Sequence, residues 1–452
     1  MADLTRIVIL GGGFGGAYLA QALEKYIRRH DLEIIIIDRN NFFVFYPLLV
    51  EAGTGSIEPR HCSVPIREFA RRSELFMGEI NELDLEARTV GYRLIGDDHD
   101  RSIRFDHLVV ALGSVTRILP EHIVSGVREH AFEMKHLSDA VVLRDRAIEL
   151  LELANATEDM EERRRLLHFV IVGGNVTGIE VVGEMENFIR DATVQYHHLR
   201  REDCSFTVIE GSPSILGILP EHQHSWAARK LQARDITLRT GQTVKEVHAD
   251  YVVTGEGESI PCATVIWTAG IAANPVLQQL NGLPLNKFNG LDCNGDYSVK
   301  GLERIWGMGD CAGVPDADGK PMPPLAQIAI RQAPQLASNI IASIEDRPTT
   351  QGRVAVQGIL VPLGRHRGVA NLKGIHLEGF FAYAMWRTIY LMKTPGWRRR
   401  MRVLMDWFIS MFCKRDYVQL GMVTGSHRDF HGQHRTGRSH DEQGTSDDGT
   451  AD

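Results

Sequence analysis

Gly11, Gly13 and Gly16 stand as G-x-G-x-x-G directly after the apolar run of residues 7–10. Each glycine answers a separate demand of dinucleotide binding: a tight turn, approach of the backbone to a pyrophosphate, and close packing of the helix that follows, none of which tolerates a β-carbon. Alone the pattern is common. It gains force from Asp38, the last residue of the run IIIID, about 20 residues past the third glycine, where a carboxylate accepts hydrogen bonds from ribose hydroxyls. An adenine dinucleotide is the expected ligand.

The pattern returns, altered, after residues 168–172. Gly173 and Gly178 hold the outer positions while Asn175 stands where a middle glycine belongs. A side chain there either pushes the cofactor outward or replaces a backbone contact with an amide hydrogen bond. Glu210 closes the run SFTVIE and is placed like Asp38, although the intervening helix and loop are longer. Its charge repels a 2′-phosphate, which favours NADH over NADPH. Gly309 and Asp310 follow another short apolar run and can set backbone N–H groups and a carboxylate beside the ribityl and pyrophosphate of a flavin. Two further runs, residues 105–114 and 264–270, end in small-residue turns at Gly113 and Gly270, one before and one after the second motif.

The elements that must hold these residues read as alternating buried strands and amphipathic helices, the pattern of parallel βαβ folds. Segments 6–16 and 168–178 nearly repeat each other, so the fold class is α/β with two Rossmann-like dinucleotide-binding domains. The first is discontinuous (1–136 and 281–376), because the run at 305–310 looks like a strand returning to it, and the second (137–280) is inserted. Residues 377–424 read as amphipathic helices and 425–452 as a disordered tail, whose His427, His431, His434 and His440 are too irregularly spaced for a metal site. With 452 residues and 43% hydrophobic content the chain can bury more than one core. A net charge of −8 gives no overall attraction to nucleic acid. Six cysteines without a CxxC pair fit a reducing compartment and no metal centre. No secretion signal and no membrane-spanning run is expected.

The helical stretches 379–393 and 400–413 flank a break at Pro395 and Gly396. In the second, Arg398, Arg402, Asp406, Ser410 and Lys414 form one polar stripe, and apolar residues cover the rest. That arc is too wide for an ordinary surface helix; it belongs in a bilayer interface, a dimer contact, or against the rest of the protein. Arg387, Lys393 and residues 398–400 suit anionic headgroups, and Trp386, Trp397 and Trp407 suit the interfacial layer.

At these residues the sequence resembles the two-dinucleotide-binding-domain flavoproteins, and within them the type II NADH dehydrogenases, single-subunit NADH:quinone oxidoreductases. The resemblance covers residues 7–417. Besides the cofactor motifs it rests on IDRNNFFVFYPLLVEAGTGSIEP (37–59), GNVTGIEVVGE (174–184), GDCA (309–312) and AQIAIRQ (326–332). It implies non-covalent FAD on Gly11, Gly13, Gly16, Asp38, Gly309 and Asp310, and NADH on Gly173, Gly178, Glu210 and Gly270. It also implies that Glu180 lies near the flavin ring and nicotinamide, and that Ala326 and Gln327 line the quinone end. The implied reaction is hydride transfer from NADH to FAD, then two-electron reduction of a membrane quinone without proton pumping. The implied location is peripheral, at the cytoplasmic face of the cell membrane or the inner side of an organelle membrane, with a homodimer left open.

Two departures stand out. Asn175 is one; the other is Arg331, five positions after Ala326, where the family usually has a second glutamine and this chain has Gln332 only adjacent. A cation beside a quinone carbonyl either stabilises a developing quinol anion or marks a different acceptor. Glu180 is expected to relay a proton or position the nicotinamide, against the plainer reading of a helix first-turn carboxylate favoured by the macrodipole. The competing functions are a sulfide:quinone-type or disulfide reductase, which needs a cysteine pair at the flavin, and a non-catalytic sensor of FAD and NADH.

Overall fold

The computed structural model describes residues 4–316, 318–419 and 421; the tail expected at 425–452, with its histidines, lies outside them. The first unit runs through β1 (Thr5–Leu10), α1 (Phe14–Leu23), β2 (Leu32–Asp38), the short helix α2 (Leu49–Gly53), β3 (Glu74–Asp84), β4 (Thr89–Leu94), β5 (Asp100–Arg104) and β6 (His107–Val110). The second comprises β7 (Ala131–Phe132), α3 (Leu137–Ala156), β8 (His168–Val172), α4 (Val176–Ala192), β9 (Ser205–Glu210), β10 (Ile236–Thr240) and β11 (Thr264–Trp267). The chain then passes through β12 (Ile305–Gly307), α5 (Ala326–Ile344), β13 (Gly358–Pro362), β14 (Gly368–Leu372), β15 (Ile375–Glu378), α6 (Phe380–Lys393) and α7 (Trp397–Phe412).

Two parallel-cored sheets result. The first has strand order β12-β6-β1-β2-β3-β4-β5 and the second β7-β11-β8-β9-β10. β12 joins the first sheet in parallel to β6, with Ile305 opposite Leu108, so the first unit is completed only after the second has been threaded through it. β1 and β8 carry continuous apolar runs because both their faces are covered: Ile7 to Leu10 and Phe169 to Ile171 are fully buried. Each such side chain contributes about 1.5–3 kcal/mol.

Two details differ from the sequence reading. The edge strand β7 pairs with β11, Ala131 opposite Val265, so the second sheet recruits residues ahead of the boundary placed at 137. Helix α7 begins at Trp397 instead of residue 400, because Gly396, at φ +80, ends the break and leaves the next residues free to wind. The antiparallel sheet β13-β14-β15 is a further layer, and α6 packs on it.

The C-terminal helices are only partly docked. α7 sinks Val403 and Trp407 into the body and leaves Met401, Leu404, Met405, Phe408, Ile409, Met411 and Phe412 exposed. Among the described residues no helix is long and apolar enough to cross a membrane.

Candidate active site

One cleft of about 3220 Å³ runs between the two sheets and reaches both glycine turns. At its first end Gly11 adopts φ +101, and a β-carbon on Gly16 would lie 1.8 Å from the Gly11 carbonyl oxygen, so helix α1 sits on the turn at glycine contact distance. Gly13 has nothing within 4 Å of where its β-carbon would be and faces the cleft. Asp38 accepts the Gly12 N–H on Oδ2 and the Asn40 N–H on Oδ1, both at 2.7 Å. Burial raises its pKa and these hydrogen bonds lower it. An open backbone face at Gly13, a braced carboxylate at Asp38 and an elongated cleft fit the pyrophosphate and ribose of FAD.

The second turn repeats this geometry. Gly173 has φ +113, and a β-carbon on Gly178 would meet the Gly173 carbonyl oxygen at 1.9 Å. Glu210 accepts the Gly174 N–H at 2.6 Å and the Ser212 N–H at 2.7 Å, the same cradle that holds Asp38. Asn175 engages its side chain within the chain itself. It is the N-cap of α4: Oδ1 accepts the Gly178 N–H at 3.0 Å and Nδ2 donates to the Thr268 carbonyl at 2.6 Å. The amide thus satisfies one orphan helix donor and ties the turn to the end of β11. Asn175 and Gly270 line the cleft; Gly16, Gly173, Gly178 and Glu210 shape its walls from behind.

Where the two units face each other, Gly113, Gly309 and Asp310 line the cleft, with Gly113 and Gly309 both at φ +70. Asp310 Oδ2 accepts from Ser114 Oγ at 2.7 Å, and Ser114 Oγ accepts from Lys135 Nζ at 2.9 Å. Burial lowers the Lys135 pKa, and Asp310 opposes that shift. Ser114 and Lys135 were not singled out from the sequence. The signal for Lys135 is faint: it lies just ahead of α3, where Asp139 accepts its backbone N–H at 2.9 Å.

Ala326 and Gln327 open α5 at the cleft, so first-turn N–H groups without intrahelical partners point toward it. The Gln327 side chain is engaged locally, donating to the Gly358 carbonyl at 3.0 Å and accepting the Gln357 N–H at 3.1 Å. Arg331 lines the same end and donates to the Ala355 carbonyl at 2.7 Å. Gln332 turns inward instead, and its Oε1 accepts the Gly309 N–H at 2.8 Å. Ile389, Tyr390 and Lys393 of α6 complete this end, which places the hairpin at the mouth of the cleft.

Glu180 lies on α4 and faces the cleft. Its pKa is driven well above the ordinary carboxylate value, by burial first and then by Glu51 and Glu184. Of the cysteines, Cys62, Cys204, Cys262, Cys293 and Cys311 are buried and Cys413 is exposed; none lines the cleft among the described residues.

Two dinucleotide turns opening on one cleft, each backed by a braced carboxylate, define a FAD flavoprotein fed by NADH. A model of the pyridine nucleotide-disulphide oxidoreductase family matches residues 5–333, and one of the NDH2 C-terminal domain matches residues 356–416. The chain belongs to the pyridine nucleotide-disulphide oxidoreductase family. It is 28% identical over 418 residues to a probable NADH dehydrogenase of Dictyostelium discoideum, covering 91% of this chain and 90% of that one. It is equally 28% identical over 422 residues to a type II NADH:quinone oxidoreductase of Mycobacterium tuberculosis, covering 90% and 87%. The solved NDH2 of Plasmodium falciparum in complex with NADH shares the fold, with a TM-score of 0.84 at 20% identity over 92% of this chain and 100% of that one. A sulfide:quinone oxidoreductase of Aquifex aeolicus shares it less closely, at a TM-score of 0.70 and 17% identity over 91% and 96%.

Proposed function

We infer that the protein is a NADH:quinone oxidoreductase that works at a membrane surface without spanning it. The observation that carries this reading is one continuous cleft: it joins both glycine turns and ends under a helical hairpin whose apolar outer face is exposed among the described residues. FAD, when bound, takes hydride from NADH and passes two electrons to the acceptor. The residues of the chain supply everything around that transfer.

Gly11, Gly13 and Asp38 hold the adenosine end of FAD; Gly113, Gly309 and Asp310 hold the other. Glu210 selects NADH by repelling a 2′-phosphate, and Gly270 lets backbone approach the nicotinamide half. Asn175 supports this site by keeping the α4 turn closed, and Glu180 holds a proton at the face where the two cofactors meet. At the acceptor end the α5 N-terminus, Arg331 and Lys393 present N–H dipoles and cations to an oxygen that gains negative charge. Gln327 acts there by fixing β13 against α5.

The apolar residues of α7, flanked by Arg398, Arg399 and Arg402, seat in the headgroup layer of the membrane on its cytoplasmic or organelle-inner side, where a lipid-dissolved quinone can reach the cleft mouth. A sulfur acceptor finds no support, because no cysteine among the described residues reaches the cleft.

The test is anaerobic. The purified protein is expected to be yellow and to bleach with NADH, and its flavin absorbance is expected to return on adding a quinone but not polysulfide or a disulfide. A colourless protein, or one that NADH does not bleach, overturns the reading; recovery with polysulfide alone reassigns the acceptor.

A further inference from the structure

Beside the cleft lies a cluster of charged groups drawn from three remote parts of the chain. Glu51 of α2 and Glu184 of α4 have side chains only 5% exposed. Each is paired with an arginine from the C-terminal segment. Arg387 of α6 reaches Glu51 at 3.1 Å, and the Trp407 indole of α7 donates to the same carboxylate at 2.7 Å. Arg415, 6% exposed, reaches Glu184 at 3.0 Å. Arg387 is held further by the rings of Tyr383 and Trp407, 5.0 and 4.6 Å from its guanidinium carbon.

Glu180 is the third carboxyl of this cluster. It precedes Glu184 by one helical turn on the same face of α4, and α2 packs against that helix. Unlike its neighbours it has no ion pair or hydrogen bond among the described residues. Two guanidinium charges therefore meet three carboxyl groups. Cofactor seated in the cleft removes the water that reaches Glu180, and an unpaired carboxylate beside two others is then the costly state.

Resting on the function inferred above, we propose that Glu51, Glu184, Arg387 and Arg415 are positioning residues that keep Glu180 protonated, so that it faces the bound cofactors as a hydrogen-bond donor. The two arginines are used up by Glu51 and Glu184, and the remaining proton stays on Glu180. The other groups around it leave the count unchanged. Tyr383 and Tyr390 of α6 are phenols whose pKa is raised chiefly by burial. His366 has its pKa lowered, by burial first and then by Arg365. Arg144 of α3 gives its guanidinium to the Asp416 carbonyl and to no carboxylate among the described residues. The upward pKa shift of Glu180, caused by burial first and then by Glu51 and Glu184, agrees with the geometry. Burial raises the Glu51 pKa as well, but there Arg387 and the Trp407 indole oppose the shift, and no such partner among the described residues opposes it at Glu180.

Charge counting makes the idea testable by infrared difference spectroscopy on the FAD-loaded, resting protein at neutral pH, read as the number of protonated-carboxyl bands that the cluster contributes. The parent protein is expected to show one, and Glu180→Gln to lose it. Glu51→Gln frees Arg387 to take Glu180 as its partner, so the count falls to none although Glu180 is intact. Arg387→Met leaves Glu51 without a cation and raises the count to two, while Arg387→Lys keeps it at one. Absence of the band from the parent protein, or its survival in Glu51→Gln, overturns the proposal. Since the readout involves no turnover, a wrong count in a protein with NADH:quinone activity defeats the cluster alone. A correct count in a protein without that activity defeats the functional reading instead.

Discussion

Gly13 and Gly16 belong to one motif but serve separable purposes. A β-carbon at Gly16 would lie 1.8 Å from the Gly11 carbonyl, so the chain must deform to admit it, whereas the same atom at Gly13 enters open space facing the cleft. Gly16→Ala is expected to destabilise the cofactor-free fold by about 1–3 kcal/mol, the usual cost of overpacking. Gly13→Ala is expected to leave cofactor-free stability unchanged and to lose FAD on desalting. Thermal unfolding of the stripped proteins, with flavin absorbance before and after desalting, separates the two; equal losses of stability would reject the division of labour. Residues of this kind were legible in the sequence because glycine turns and the acidic residue after the next strand are local patterns. Asn175 was legible only as an anomaly. Its double role as helix cap and tie to β11 depends on the Thr268 carbonyl, far along the chain, which spacing cannot reveal.

At the scale of elements, α7 is a helix with two apolar faces of different fate. Val403 and Trp407 are its inner seam, and Asp406 locks it to the loop after α2 by bonding His61 Nδ1 at 2.5 Å and the Glu58 N–H at 3.2 Å. Its outer face, from Met401 to Phe412, is left exposed by the rest of the described residues. Changing Phe408 and Phe412 together to Glu, at 53% and 75% exposure, is expected to cut co-sedimentation with anionic vesicles by at least about tenfold, since each buried aromatic is worth roughly 1.5–3 kcal/mol. The melting temperature should hardly move. Unchanged vesicle binding together with a dimer that dissociates in the variant would assign the face to a second copy of the chain. The strands with continuous apolar runs and the helices with a clear period were legible beforehand. The β13-β14-β15 sheet was not, because its strands are short and punctuated by glycine. Nor was the edge strand β7, two residues long, which is a strand only because β11 lies beside it.

At the scale of the molecule, the first unit, the inserted unit and the C-terminal segment meet at one point, where Glu51, Glu180 and Arg387 converge. The ties are long-range: Arg387 and Glu51 are 336 residues apart, and Arg415 and Glu184 are 231 apart. Such a convergence places an ionisable group where the fold would be more stable without it. The sign of the consequence is fixed by the direction of the Glu180 shift. Its folded-state pKa lies above the unfolded value of about 4.3, so the folded protein holds the proton more tightly than the unfolded chain. As pH rises from the unfolded pKa toward the folded one, unfolding releases a proton and stability declines. Glu180→Gln removes that group and with it that part of the slope. The variant is therefore expected to match the parent near pH 4 and to gain on it steadily as the pH is raised, while its reaction with NADH or acceptor is impaired. Urea unfolding of both proteins at a series of pH values measures the gap. A gap that stays constant, or narrows as the pH rises, would mean that Glu180 is not held above its unfolded pKa.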